Sequence, residues 1–168
     1  MRAVDRCALS YESLLELTSA EQHHWHDWFV EHPNARSVPF ATGRMATVGA
    51  LVTHIFAVEL RYAQRLHDRD ATPWEDFRQA SVEDVFELGA DARALLVQFL
   101  TTAADAELDR VLTFRTLTAG LVTASKYKIA SNVFLHGIRH WAQIATVLRQ
   151  NGFAEQWSHD MLLSTIRM

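Results

Sequence analysis

The chain has 168 residues, 49% hydrophobic and 10% aromatic, with only six glycines and three prolines; that is too apolar for disorder, too poor in turn residues for an all-β fold, and long enough to bury a core. Sixteen basic against twenty acidic residues leave a net charge of -4 with no Lys/Arg cluster, which excludes an electrostatic nucleic-acid footprint. A lone Cys7 excludes an internal disulfide framework, Asp5 and Glu12 interrupt any signal-peptide core, and no apolar run of about 18 residues offers a membrane span, so one cytoplasmic domain over residues 1–168 is expected.

From roughly Leu9 to Glu31, Leu14, Leu17, Trp25, Trp28 and Phe29 recur at helical spacing, and His32-Pro33-Asn34 ends the run. A loop with Pro39 and Gly43 follows. Thr47 then opens a second helix in which Val48, Leu51, Val52, Ile55, Phe56, Tyr62 and Leu66 repeat at three and four. The stretch HDRDATPWEDF reads as a connection. Ser81-Val82-Glu83-Asp84 reads as an N-cap with an acidic residue at the third helical position, starting a third helix that ends near Ala104.

Between Leu108 and Thr123 the β-branched run VLTFRTLTAGLVTAS, centred on Thr118-Ala119-Gly120, predicts a short β-hairpin. A fourth long helix runs from about Lys126 to Gln150 and stops at Asn151-Gly152, and a last short helix is expected over Ser158 to Arg167. Four long amphipathic helices must bury their apolar stripes on one another, so the expected fold is an all-α four-helix bundle.

On the fourth long helix Ile129, Val133, His136, His140, Ile144 and Val147 step by four, three, four, four and three, so both histidines lie in the apolar stripe. A lone core histidine is usually bonded to a carbonyl or hydroxyl. Two on one stripe carry four ring nitrogens that need partners, and a pair at i and i+4 can grip one divalent ion. His54 shares a stripe of the second helix with Thr47, Leu51, Val58 and Arg61. Three inward histidines from two helices match the three-ligand, open-position pattern of catalytic zinc and related metals.

The spacing is not that of a zincin, because Gly137 stands in H-G-I-R-H where HExxH places its glutamate base. Gln143 either orients a ligand or is an ordinary polar residue at the bundle mouth. His23, His24 and His26 point in different directions and cannot all converge. His32, His67 and His159 sit at helix ends, where surface or capping roles are expected, and Trp25 and Trp28 read as packing anchors. Glu59 lies about 140° round the helix from His54, which separates it from that cavity.

The segments VGALVTHIFAVELRYAQRL and HGIRHWAQIATVLRQNGF, with the early DWF, resemble the DinB-like proteins, the damage-inducible and YfiT-related superfamily of small bacterial proteins. The likeness spans nearly the whole chain and is sharpest in H-x3-H-x2-Q, the LRQ-x-G close and the upstream H-I-x3-E. It implies an up-down-down-up bundle, a hairpin-like insertion before the last long helix, often a homodimer, and a divalent metal, nickel or zinc, held by three histidines. Carried over by position these are His54, His136 and His140, the same three that the stripes select.

Relatives so implied include thiol S-transferases that use low-molecular-weight thiols, a thiol-dependent isomerase and suspected metal-dependent hydrolases. Fold and metal do not choose among them. The expected function is a metal-dependent transferase or hydrolase acting on a small molecule, in which the metal activates a thiol or a water. The alternatives are a non-catalytic metal- or ligand-binding module and a bundle that holds no metal. No general base stands out, and Cys7, remote from every histidine in sequence, reads as a bystander.

Overall fold

In a computed structural model of the protein the described residues are 9–42, 45–78 and 81–164. Cys7, Gly43 and the last residues of the expected C-terminal helix lie outside them. The chain is mostly helical, with four long helices, α1 (Tyr11–Glu31), α2 (Val48–Leu66), α3 (Val82–Thr102) and α5 (Lys126–Gln150), a short α4 (Asp105–Asp109), and two small hairpins, β1 (Pro39–Thr42) with β2 (Met45–Thr47) and β3 (Val111–Thr116) with β4 (Gly120–Ser125). No helix is long and apolar enough to cross a membrane among the described residues.

Each long helix starts on a hydroxyl that accepts an otherwise orphaned backbone N–H: Ser10 for α1, Thr47 for α2, Ser81 for α3 and Ser125 for α5. At Ser81 the exchange is reciprocal, because the Asp84 carboxylate accepts from the Ser81 backbone. α5 ends at Asn151, and Gly152 takes a φ of 83°, the left-handed turn that glycine enters without steric cost.

Three expectations are corrected. The loop around Pro39 is an antiparallel hairpin with Pro39 opposite Thr47; strands this short carry too few residues for a period-two signal. Where a last helix from Ser158 was expected, the described residues hold a single 3-10 turn, Met161–Leu163; Asp160 caps it, but no apolar stripe there docks on the bundle. Helix α3 stops at Thr102, and Leu108, where the β-prone run was expected to begin, lies instead in the short α4 that starts at Asp105.

α2 lies between α3 and α5, and α1 packs against the same two helices from the opposite side. Their stripes form two apolar clusters. Trp25, Phe29, Phe56, Trp141 and Leu148 belong to one, and Leu66, Leu96, Phe99, Ile129 and Phe134 to the other. Gly89 is required where α3 meets α2, since a Cβ there would lie 2.7 Å from the Phe56 ring. Where one cluster gives way to the other along α2, the buried Glu59 meets Arg93 of α3, with Nε 2.7 Å from Oε1 and Nη2 3.2 Å from Oε2, and Arg93 also donates to Thr18 of α1.

One link sets the height of the functional residues. Lys126 at the start of α5 is fully buried and donates from Nζ to the Leu66 carbonyl at the end of α2. Twelve residues back from Leu66 is about 18 Å and ten forward from Lys126 about 15 Å. His54 and His136 therefore come level on two antiparallel neighbours.

Candidate metal centre

His54 from α2 and His136 and His140 from α5 meet on one side of the bundle, with one ring nitrogen from each within 4.8 Å of the others. Ring centroids are 5.1 Å apart for His54 and His136, 5.3 Å for His54 and His140, and 4.4 Å for His136 and His140. All three are partly exposed, so the group opens toward solvent. Among the described residues no cysteine, carboxylate or further histidine joins it.

The donor set suits a divalent ion. Imidazole bonds of about 2.0–2.1 Å in a tetrahedral site place neighbouring nitrogens about 3.3 Å apart, and Nε2 of His136 and Nε2 of His140 are separated by 3.1 Å. The Nδ1–H of His140 donates to Oε1 of Gln143 at 2.6 Å, which leaves Nε2 with its lone pair facing the group. Gln143 thus fixes the orientation of the His140 ring.

Electrostatics keep these rings neutral. Burial, followed by the charges of His140 and Arg139, lowers His54 from 6.5 to about 4. Burial, then His140, His54 and Arg139, lowers His136 to about 3. His140 is also lowered by burial, against the hydrogen bond to Gln143. A neutral imidazole is the form that can ligate a cation, and burial favours that form in all three rings. Arg139, exposed, lies 3.3 Å from Nε2 of His140 and weakens the site for a cation as a like charge.

Two neighbours escaped the sequence reading. Trp74 stacks on His54 at 5.8 Å and 13°, and walls one side of the group; it lies on a 3-10 turn in the connection HDRDATPWEDF, where no periodicity marks it. Arg139 sat inside the motif, but nothing in its spacing distinguished it from a solvated charge.

The remaining histidines are placed elsewhere. His23 bonds the Ser19 carbonyl, His26 meets Asp27, and His24 lies against Trp157. His32 and His67 cap α1 and α2. His159 does more than sit at a surface: it bridges Glu21 of α1 at 2.6 Å and Glu155 at 3.1 Å, holding the tail beside Trp25. Glu59 is engaged by Arg93, apart from the three histidines.

No curated protein matches the chain. The profile of the DinB superfamily matches residues 3–144, a span that takes in all three histidines and stops before the last turns of α5 and the tail. Most of the chain is covered, and the chain belongs to the DinB superfamily.

Proposed function

We propose that the protein is a metal-dependent enzyme acting on a small molecule, a thiol S-transferase or a hydrolase, with a zinc or nickel ion held by His54, His136 and His140. The observation that carries the reading is a group of three nitrogen ligands with no fourth protein ligand beside it among the described residues, on a solvent-facing flank. Structural sites are closed by four protein ligands, whereas catalytic sites keep a position open. When bound, the ion supplies Lewis-acid chemistry that makes a thiol or a water easier to ionise.

The chain's own residues do the rest. Burial holds the imidazoles neutral, Gln143 fixes the ring of His140, and Trp74 shields His54 from water on one side. Among the described residues no carboxylate stands in the group to act as a base, and a thiol, which gives up its proton far more readily than water does, would suit such a site best. We read the protein as a cytoplasmic homodimer on a single up-down-down-up bundle domain, without nucleic-acid or membrane partners. The exposed Leu135 and Ile138 of α5 offer an apolar outer face for the second copy.

A second reading, a non-catalytic binding module, draws on the cavity of about 650 Å³ between α1 and α3, which lies over Phe56 and Phe86 and is not lined by His54, His136 or His140. A panel of low-molecular-weight thiols with a small electrophile, and a panel of small esters and amides, assayed on metal-loaded protein, separates the two. Turnover that His54→Ala abolishes supports the enzyme. No turnover from protein carrying stoichiometric metal turns the case to the module.

A further inference from the structure

We propose that the part of α2 beyond His54 binds the carboxylate end of the small molecule whose other end reaches the three imidazoles. The inference rests on the reading of those imidazoles as the reacting end. His54, Val58, Arg61 and Arg65 are spaced by four, three and four and so share one stripe of α2. Arg61 lies about 10 Å and Arg65 about 16 Å along the axis from His54.

Trp74 joins the two regions. Its ring stacks on His54, and the Arg61 guanidinium carbon sits 4.5 Å from the centroid of that ring. Past it, Arg61, Arg65 and Arg115 of β3 line a cleft of about 40 Å³ with Val58 and Trp74. A water takes about 10–15 Å³ of such space, so the cleft accepts about three heavy atoms, the size of a carboxylate.

No carboxylate within ion-pair distance balances the charges in this cleft among the described residues. Arg93, Lys126, Arg110 and Arg149 each hold a carboxylate. Arg61, Arg65 and Arg115 hold none among the described residues. Glu75, exposed on the turn that carries Trp74, acts on Arg61 only from beyond contact distance. Arg65 is depressed by burial and then by the charge of Arg61, a repulsion the fold retains.

The two helical guanidiniums are held in place. Arg61 donates from Nη1 to the Thr72 carbonyl, and Arg65 from Nη1 to the Arg61 carbonyl at 3.3 Å. Arg65 lies over the Phe114 ring at 4.7 Å, which anchors it from the hairpin side. Each guanidinium has five N–H donors. The donors beyond these bonds are what a planar anion in the cleft would meet, a task for which a guanidinium suits better than an ammonium.

Isothermal titration of the zinc-loaded protein with a graded series of ω-mercaptoalkanoates, beginning at mercaptoacetate, against the ω-mercaptoalkanols of equal length tests this. The acids should bind roughly tenfold or more tighter than the alcohols. The advantage should peak where the chain spans about 10 Å and shrink with salt. Arg61→Gln and Arg115→Gln should each reduce it; Arg115 is exposed on the hairpin, so loss there cannot be blamed on the core. Glu75→Gln should raise it.

His136→Ala should keep the preference for acid over alcohol and lose the preference for thiols over plain alkanoates. If acids and alcohols bind equally, or the arginine variants leave the acid preference intact, the carboxylate subsite is wrong whatever the metal does. If His136→Ala keeps the thiol preference while the arginine variants abolish the acid preference, the subsite stands and the reading of the histidines fails.

Discussion

Replacing Lys126 with methionine keeps the aliphatic stem and removes the charge. The Nζ group spends all three protons, on the Leu66 carbonyl, on Asp68 Oδ2 at 3.0 Å and on Glu107 Oε1, and it lies 5.4 Å from the centroid of the Phe99 ring. Removing one partner of a buried ion pair costs about 3–5 kcal/mol when the other stays dry. Here Asp68 and Glu107 are 48% and 36% exposed and keep Arg110, so they rehydrate at little cost.

The stranded group is the Leu66 carbonyl at the end of α2, whose lost donor costs about 1–3 kcal/mol. With the weakened ion pairs the expected loss is about 2–3 kcal/mol, which for a chain of this size lowers Tm by about 5–10 °C. Urea and thermal unfolding of wild type and Lys126→Met give the figure. Asp68 is held below its ordinary 3.8 first by the Lys126 hydrogen bond and then by Arg110. Its contribution is present above that value and lost as pH falls through the folded value, so the acid limb of the stability curve should flatten in the variant. A Tm unchanged within a degree would mean that the buried ammonium does not tie α2 to α5, and the argument that levels His54 with His136 would fall with it.

Three further outcomes follow from the site and the tail. Gln143→Leu should lower metal affinity about 10–100-fold with little change in fold, since it frees Nδ1 of His140; competition with a chromophoric chelator reads this. His54 at about 4 and His136 at about 3 lie below the unfolded 6.5, so stability is full above 6.5 and declines as pH drops toward those values; the double variant His54→Ala/His136→Ala should flatten that decline in unfolding scans from neutral pH to about pH 4. His159 is raised, chiefly by its hydrogen bond to Glu21, with Glu155 and the Arg149 paired to it facing the same ring and His24 against the adjoining Trp157. Its stabilisation is full below 6.5 and lost as pH rises through the folded value, so proteolytic cutting near Trp157 should speed up there in wild type and show no such step in Glu21→Gln.

The long helices were legible because their information is local. Thr47 and Ser81 mark their own helix starts by hydroxyl and spacing, and α5 spans the residues that its periodicity picked out, Lys126–Gln150. The same stripes carried His54, His136 and His140, so their meeting could be argued from two amphipathic faces before any coordinate. What stayed hidden depends on contacts remote in sequence or on aperiodic chain. Trp74 reaches His54 from a turn, and His159 finds Glu21 across 138 positions. The tail, expected to be helical from Ser158, keeps a single turn among the described residues, and there Leu162 and Leu163 face solvent. Local propensity without a docking face does not sustain a helix.

The central claim is that three imidazoles share one ion. Elemental analysis of protein purified without a metal-affinity tag, beside His136→Ala prepared identically, tests it most directly. Close to one divalent ion per chain is expected in the wild type and a large loss in the variant, with the fold retained by circular dichroism. Equal metal content in both proteins, or none in a correctly folded wild type supplied with zinc and nickel, would contradict it.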